Sequence, residues 1–600
     1  MNKKGFTLVE LLAVIAILAL LVIIALPNVL EMFNRAKKEL FLTEAKNLYK
    51  EVSKKYITEN MRGNKISNVN SKNSKLNLDN DSYEYNIKLD SKGNIKRFNV
   101  SNDDFCIKAA VLNVNDITID MINDEYCDVF DYSPNPTNCA YDGELVQGAE
   151  YTYDGYTYRY NQIFVGTGWS NRYANGWGVT LTDKESTSPV SGKICTYINN
   201  KPVVYASSMF NGSKATSIDL TSFNTKNIVD MGNMFNGAEA IEIKGLDTFN
   251  VSNVTTMNRM FKTSKFEELD LSNFVTSKVN NMTEMFAETV VKSIDVSSFD
   301  TSNVIYMGSM FKNSLATKIV GLENFNTEKT VYMSSLFERS KADKLNLSSF
   351  NTSKVTNMAW MFMYSDATEI NLSSFDTSNV IYMGSMFYGS KAKIIDLSNF
   401  NTSNVTDMGH MFRDVVASEI KGLEKFDTHN VTYTGYMFRG CKTPKLDVSS
   451  FNTSKVTNMW GMFSASEVTE LDVSNFDTSN VTDMHWMFYN CKAKTIKGLE
   501  NFNTSNVTDM SWMFNGSKAT ELNLSSFDTS KVTNMGGMFH QINLDTLDLS
   551  SFTVSDETDI LNMFGNAKFK TGYAKDEETT TKFNDRSVTR LASNISFVTK

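Results

Sequence analysis

A phenylalanine closing the segment Met-x-x-Met-Phe returns at an almost fixed interval, and this constrains the chain more than any other feature. It falls at 210, 235, 261, 286, 311, 337, 362, 387, 412, 438, 463, 488, 514, 539 and 564, with ten steps of 25 residues and four of 26. Copies at this period are single supersecondary units that bury their apolar faces on one another, so about 15 repeats over 205–570 predict a solenoid. Within one copy Leu522 and Leu524 flank Asn523, the in-out-in alternation of a short strand. Phe527 and a polar turn, Asp528-Thr529-Ser530, follow. Val532, Met535, Met538 and Phe539 then recur at spacings that predict a short helical or 3₁₀ turn, N-capped by an Asp, Thr or Ser. A small residue such as Ala519 lets coils approach closely. In the four longer copies the strand reads I-K-G-L or I-V-G-L, with the added residue at Gly245, Gly321, Gly422 and Gly498. This predicts a β-bulge.

L-D-L-S-S-F-D-T-S-N-V-T-D-M-x-x-M-F resembles the repeat of BspA-type bacterial surface proteins, a leucine-rich-repeat-like family associated with adhesion. The resemblance covers roughly 205–565 and implies surface display and partner binding, with no reaction. The chain departs from it where alanine replaces larger aliphatic residues and where the cysteine after Met-Phe persists only at Cys441 and Cys491.

The N-terminus is the second informative stretch. Lys3-Lys4-Gly5 precedes Phe6-Thr7-Leu8-Val9-Glu10 and an apolar run to Leu26. As a helix, Phe6–Leu26 is about 31 Å long, enough to span a bilayer. Glutamate within such a run is costly in lipid and calls for a partner. K-K-G-F-T-L-V-E-L-L resembles the signal of type IV prepilins. The resemblance implies that 1–5 is a leader cut by a prepilin peptidase between Gly5 and Phe6, with N-methylation of Phe6. It also implies that Glu10 pairs with the Phe6 amine of a neighbouring pilin subunit during assembly, after a stage in inner-membrane lipid. The expected product is a surface filament. A simple membrane anchor is the plainer alternative.

From Asn28 to about Asn60 the helix continues with an apolar stripe of Leu30, Phe33, Phe41, Ala45, Leu48, Val52 and Tyr56. Residues 6–60 thus form one long helix, and by the pilin resemblance 61–140 is a small β-domain. Its strand-like segments are 83–89, 95–100 and 105–112. The whole is an α+β part followed by the solenoid. Cys106 and Cys127 are the expected disulfide of that domain, an assignment resting on the resemblance. Residues 141–204 are expected to be an aromatic-rich β module capping the array, with Tyr151–Tyr158 as a hairpin around Asp154-Gly155. Its tyrosines admit a sugar-binding or a structural reading. Cys139 and Cys195 are a candidate second disulfide, and 571–600 a cap or tail.

Cys441 and Cys491 lie two coils apart, about 9.6 Å at strand spacing, beyond the roughly 7 Å between α-carbons that a disulfide tolerates. Both are expected to be free. The methionine stripe reads as core. The outward Asp/Asn ladder between strand leucines reads as a solvated face and not a calcium site. No cofactor, metal centre or catalytic constellation is expected. A net charge of −9 argues against nucleic acid.

One feature is uneven. The two residues between the methionines are small or polar in the early coils but later include Trp360, His410, Tyr436, Trp460, His485, Trp486 and Trp512, joined by Tyr388 and Tyr489. If exposed, they form an aromatic strip suited to a glycan or host protein; the alternative is packing between coils. The expected function is a minor or tip subunit of a type IV filament displaying an adhesive repeat domain. The second reading is a structural pseudopilin of a secretion or competence system.

Overall fold

A computed structural model describes residues 8–62, 68–71, 83–90, 92–109, 113–124, 136–165, 168–171 and 176–600. The chain forms two compact units, Met1–Tyr132 and Ser133–Lys600.

In the first unit, α1 (Leu8–Met61) accompanies an antiparallel sheet of β1 (Asn68–Asn70), β2 (Glu84–Leu89), β3 (Ile95–Ser101) and β4 (Cys106–Ala109), in that order. Phe41, Ala45, Leu48 and Val52 recur at helical spacing and are buried with Tyr85, Ile87, Phe98 and Val100 of the sheet. Phe33, expected on the same apolar stripe, is exposed, as is Leu40. Lys37 and Lys38 pair with Asp104 and Asp124 at 3.0 and 2.6 Å. Among the described residues no helix is long and apolar enough to cross a membrane. The apolar run Phe6–Leu26 lies outside the residues whose side chains are described.

The second unit opens with β5 (Asn138–Cys139), β6 (Glu150–Tyr153), β7 (Tyr156–Tyr160), β8 (Gln162–Val165), β9 (Gly168–Asn171), β10 (Trp177–Leu181), β11 (Tyr197–Ile198) and β12 (Lys201–Tyr205). Six of them form a sheet in the order β5-β11-β12-β10-β7-β6, with Cys139 and Cys195 disulfide-bonded. The hairpin pairs Tyr151 with Tyr158 and Tyr153 with Tyr156. Tyr156 and Tyr158 are fully buried, and the Tyr158 hydroxyl accepts from the Cys195 amide at 2.9 Å, so their role is structural. This module covers the first coil. Tyr156 meets Phe210 edge-on at 6.3 Å, while Val190 and Tyr205 begin the two parallel ladders of the solenoid by bridging Ile218 and Asp230.

The solenoid makes about 17 turns, because the flanking modules add strands to the repeats. Most coils contribute a three-residue strand, such as Ser217–Asp219 paired in parallel with Glu242–Lys244. The methionines and closing phenylalanines are buried. Those phenylalanines stack coil on coil with ring centroids 5.4–6.1 Å apart and planes within 16°. Cys441 and Cys491 are buried and free.

Two local expectations are corrected, and two that were left open are decided. First, the Met-x-x-Met-Phe tract is a chain of interlinked β-turns and not a helical turn. Met386, Tyr388 and Ser390 amides bond the carbonyls three residues back (2.9–3.1 Å), while those of Ser385, Phe387 and Gly389 bond the next coil (2.7–3.0 Å). Ser385 and Gly389 are left-handed, with φ of 58° and 64°. The same two positions are left-handed in every coil from Ser208 to Asn566. Second, the 26-residue coils hold no bulge. Their strands pair in register, and the added glycine follows the strand as a left-handed residue opening a 3₁₀ turn, as Gly422 does (φ 89°) before Leu423–Lys425. A Cβ on Gly422 would lie 2.6 Å from the Leu397 carbonyl carbon. Third, the threonine of the polar turn is no N-cap. Thr377 is buried; its hydroxyl donates to the Asn401 carbonyl and accepts from the Asn401 amide, both at 2.8 Å. Fourth, the C-terminal stretch closes the core. Thr571–Ala574 and Phe597–Thr599 extend the parallel ladder. α2 (Glu577–Asn584), N-capped by Asp576, brings Phe583 to 5.4 Å from Phe564, and Phe597 stands at 4.8 Å.

A candidate ligand surface on the turn edge of the coils

The linked turns put certain positions outside. The left-handed residue before the second methionine points away from the core, and so do the first, second and fourth residues after the closing phenylalanine. Left-handed φ favours glycine and asparagine and costs other residues about 1–3 kcal/mol. Asn233, Gly461, Gly537 and Asn562 follow that preference, but Trp360, His410, Tyr436, Trp486 and Trp512 occupy the same position with φ of 56–60°. Tyr364 does so one turn later at 51°. Large rings are thus concentrated in one half of the array at a position where left-handed φ disfavours them.

The rings form a continuous tract. Tyr364 meets Tyr388 at 4.6 Å, Tyr388 meets His410 at 6.3 Å, and His410 meets Tyr436 at 5.3 Å. Tyr436 meets Trp460 at 4.6 Å, and Trp460 stacks on His485 at 4.6 Å with Trp486 at 6.4 Å. Further along, Trp512 lies 5.6 Å from His540. Arg413 sits over Tyr388 and Tyr436 (4.6 and 5.2 Å). Neighbouring rings thus stack between coils, and most remain partly exposed. Trp360 is the most open of the expected residues, at 46%. Tyr436 is the correction. It is 5% exposed, held beneath Arg413 and Arg439, and presents no ring to solvent.

Electrostatics follow the packing. Burial, then the charges of Arg413 and Arg439, push the His410 imidazole down to about 4. Its neutral Nδ1 lies 3.2 Å from Arg413 Nη1 as acceptor. His485 and His429 meet the aspartates two residues before them at 2.5 and 2.7 Å. The Asp/Asn ladder closes its own turns: Asp396 accepts from the Ser398 amide and hydroxyl (3.1 and 2.7 Å), which hold its carboxyl below the usual range. Among the described residues no group of three His, Cys, Asp or Glu side chains gathers for a metal. The asparagine of N-V-T is also engaged, as in Asn404 Nδ2 donating to the Ser378 carbonyl at 2.7 Å.

Sequence reasoning missed the arginines and a second exposed group, Tyr306 and Tyr332, stacked at 5.0 Å and 41% and 49% exposed. The available signal was a tyrosine standing where other coils carry an Asp or Asn that caps the next turn, as Asp407 caps Gly409. Of the processing residues, Gly5 and Phe6 lie outside the described residues, and Glu10 falls on α1 with its side chain outside them. Cys106 is disulfide-bonded; Cys127, its expected partner, lies outside the described residues.

Comparison with known families adds two findings. The family model described as "Mycoplasma protein of unknown function, DUF285" matches four times, at 204–319, 314–421, 414–495 and 491–596. The model described as "Prokaryotic N-terminal methylation motif" matches 1–26. No curated protein and no solved structure matches.

Proposed function

The chain belongs to the DUF285 family, whose BspA-like repeats span 204–596 behind a prepilin methylation motif, and from that premise we propose that it is a minor or tip subunit of a type IV filament that attaches the cell to a host or surface ligand. The motif and the repeats together indicate a surface-exposed pilin-like protein. The motif further implies processing by a prepilin peptidase and assembly with other pilins. Attachment is supported by the placement of large rings at left-handed positions on one edge of coils that do not need them. The early coils make the same turns with Asn233, Ser309 or Ser335. We propose no reaction for the protein; His410, His429 and His485 each pair with a side chain two or three residues away.

Mass spectrometry of the N-terminal peptide from sheared filaments tests the first half. A peptide beginning at N-methylated Phe6 is expected there. Its confinement to membranes favours a pseudopilin, and an uncut Met1 ends the pilin reading. For attachment, cells carrying Trp486→Ala and Trp512→Ala are expected to adhere less while displaying the same amount of protein. Unchanged adherence removes the aromatic edge from the account.

A further inference from the structure

The first, second and fourth residues after each closing phenylalanine line one edge of the coil stack. From Phe311 to Phe514 these positions hold nine lysines and arginines against four aspartates and glutamates, in a chain of net charge −9. Part of that positive charge is neutralised locally: Asp366 pairs with Lys341 and Lys391 at 2.9 and 2.7 Å. Arg339 and Arg439 behave differently. Neither meets a carboxylate among the described residues; their guanidinium groups lie over Tyr364 and Tyr436 at 5.2 and 4.8 Å. Around Arg339 the edge forms a cleft of about 590 Å³ crossing four coils, lined also by Asn313, Tyr364 and the Lys341–Asp366–Lys391 group, which carries one net positive charge.

We propose that this edge binds a linear anionic polysaccharide bearing a carboxylate on alternate sugars, laid along the coil stack. The inference rests on the reading of the turn edge as the ligand surface and names the ligand's chemistry. Nine coils at strand spacing extend about 43 Å. An excess of five positive charges over that length is one per ~9 Å, far sparser than the roughly one phosphate per 3.4 Å of a nucleic-acid strand. Around Arg339 and Arg439 the tyrosine faces are covered by guanidinium groups, and most rings of the tract stack on a neighbour, which leaves few free platforms for successive bases. Guanidinium forks pair with carboxylates in bidentate geometry, and the tyrosine and asparagine side chains suit sugar hydroxyls.

The test is binding of the full-length protein, in detergent, to immobilised hyaluronan, with neutral dextran and single-stranded DNA as comparisons. Hyaluronan alone is expected to be retained, with affinity falling as salt rises. The double variant Arg339→Gln, Arg439→Gln is expected to bind roughly tenfold more weakly or worse, as lost charge-assisted hydrogen bonds dictate. The variant loses one contact to the next coil, Arg339 over Tyr364, and one within a coil, Arg439 over Tyr436, so its unfolding midpoint is measured alongside and binding is compared where both proteins are folded. Arg259→Gln, which removes a pairing with Glu284 in the coils before this stretch, should leave hyaluronan binding unchanged. Equal retention of dextran, tighter retention of DNA, or full binding by the double variant overturns the inference. Adherence lost in the tryptophan variants without any hyaluronan binding also overturns it, while leaving the attachment reading intact. Hyaluronan binding lost in the arginine variant with cell adherence unchanged supports the inference and counts against attachment.

Discussion

At the scale of single residues, the polar side chains inside the repeat matter as much as the apolar ones. Thr377 satisfies both backbone groups of Asn401 in the next coil. Thr377→Val keeps the shape but leaves a part-buried amide and carbonyl without their partner, so a loss of about 1–3 kcal/mol is expected in urea unfolding, partly recovered by Thr377→Ser. His410 gives a second residue-level expectation. Its folded pKa, about 4, lies below the roughly 6.5 of an unfolded histidine. The unfolded chain therefore takes up a proton first as pH falls. Stability from this group is complete above about 6.5, is lost between 6.5 and 4, and changes no further below 4. Solvent screening at this half-exposed site reduces the effect. Melting temperatures of the parent and His410→Gln should converge across that window.

At the scale of the element, the coil was legible in period, strand and core, because burial imposes a repeating apolar pattern that survives any reading of the backbone. The turns were not legible. Two linked β-turns with a left-handed residue every fourth position bring Met383, Met386 and Phe387 to the core at the spacings a helix also uses. The distinguishing sign was weaker, a scatter of Asn and Gly at two fixed positions such as Asn233 and Gly237. The bulge expectation failed similarly, since a glycine beside a strand does not say on which side of the strand end its freedom is used. The candidate surface was half legible: the large rings stood out against small residues, whereas Arg339 and Arg439 looked like ordinary surface charge until their tyrosine partners were placed. Two substitutions probe the backbone directly. Gly422→Ala combines positive φ with overlap on Leu397 and should cost about 2–4 kcal/mol. Glu288→Gly relieves an exposed left-handed residue (φ 60°) and should gain up to about 1 kcal/mol after the added unfolded-chain entropy. Denaturant midpoints decide both.

At the scale of the whole molecule, stability in a stack of this kind is a sum of coil terms and nearest-neighbour interfaces, so the ends carry special weight. Removing 571–600 uncovers Phe564 and Phe569 while leaving every earlier interface intact. The expected outcome is self-association, seen as an early-eluting species that binds a hydrophobic dye, with the coil signal in circular dichroism largely retained. The direct ladder from coil to coil has one more consequence, and it is mechanical. Tension between the start of the stack and a ligand held on coils 311–514 pulls on the early coils along their axis. Each joint resists with parallel hydrogen bonds and a stacked ring pair. A joint that yields releases one coil of 25 residues, roughly 85 Å of slack, while the tether stays unbroken. A coil stack built this way lengthens under drag in discrete steps and rewinds when the pull relaxes.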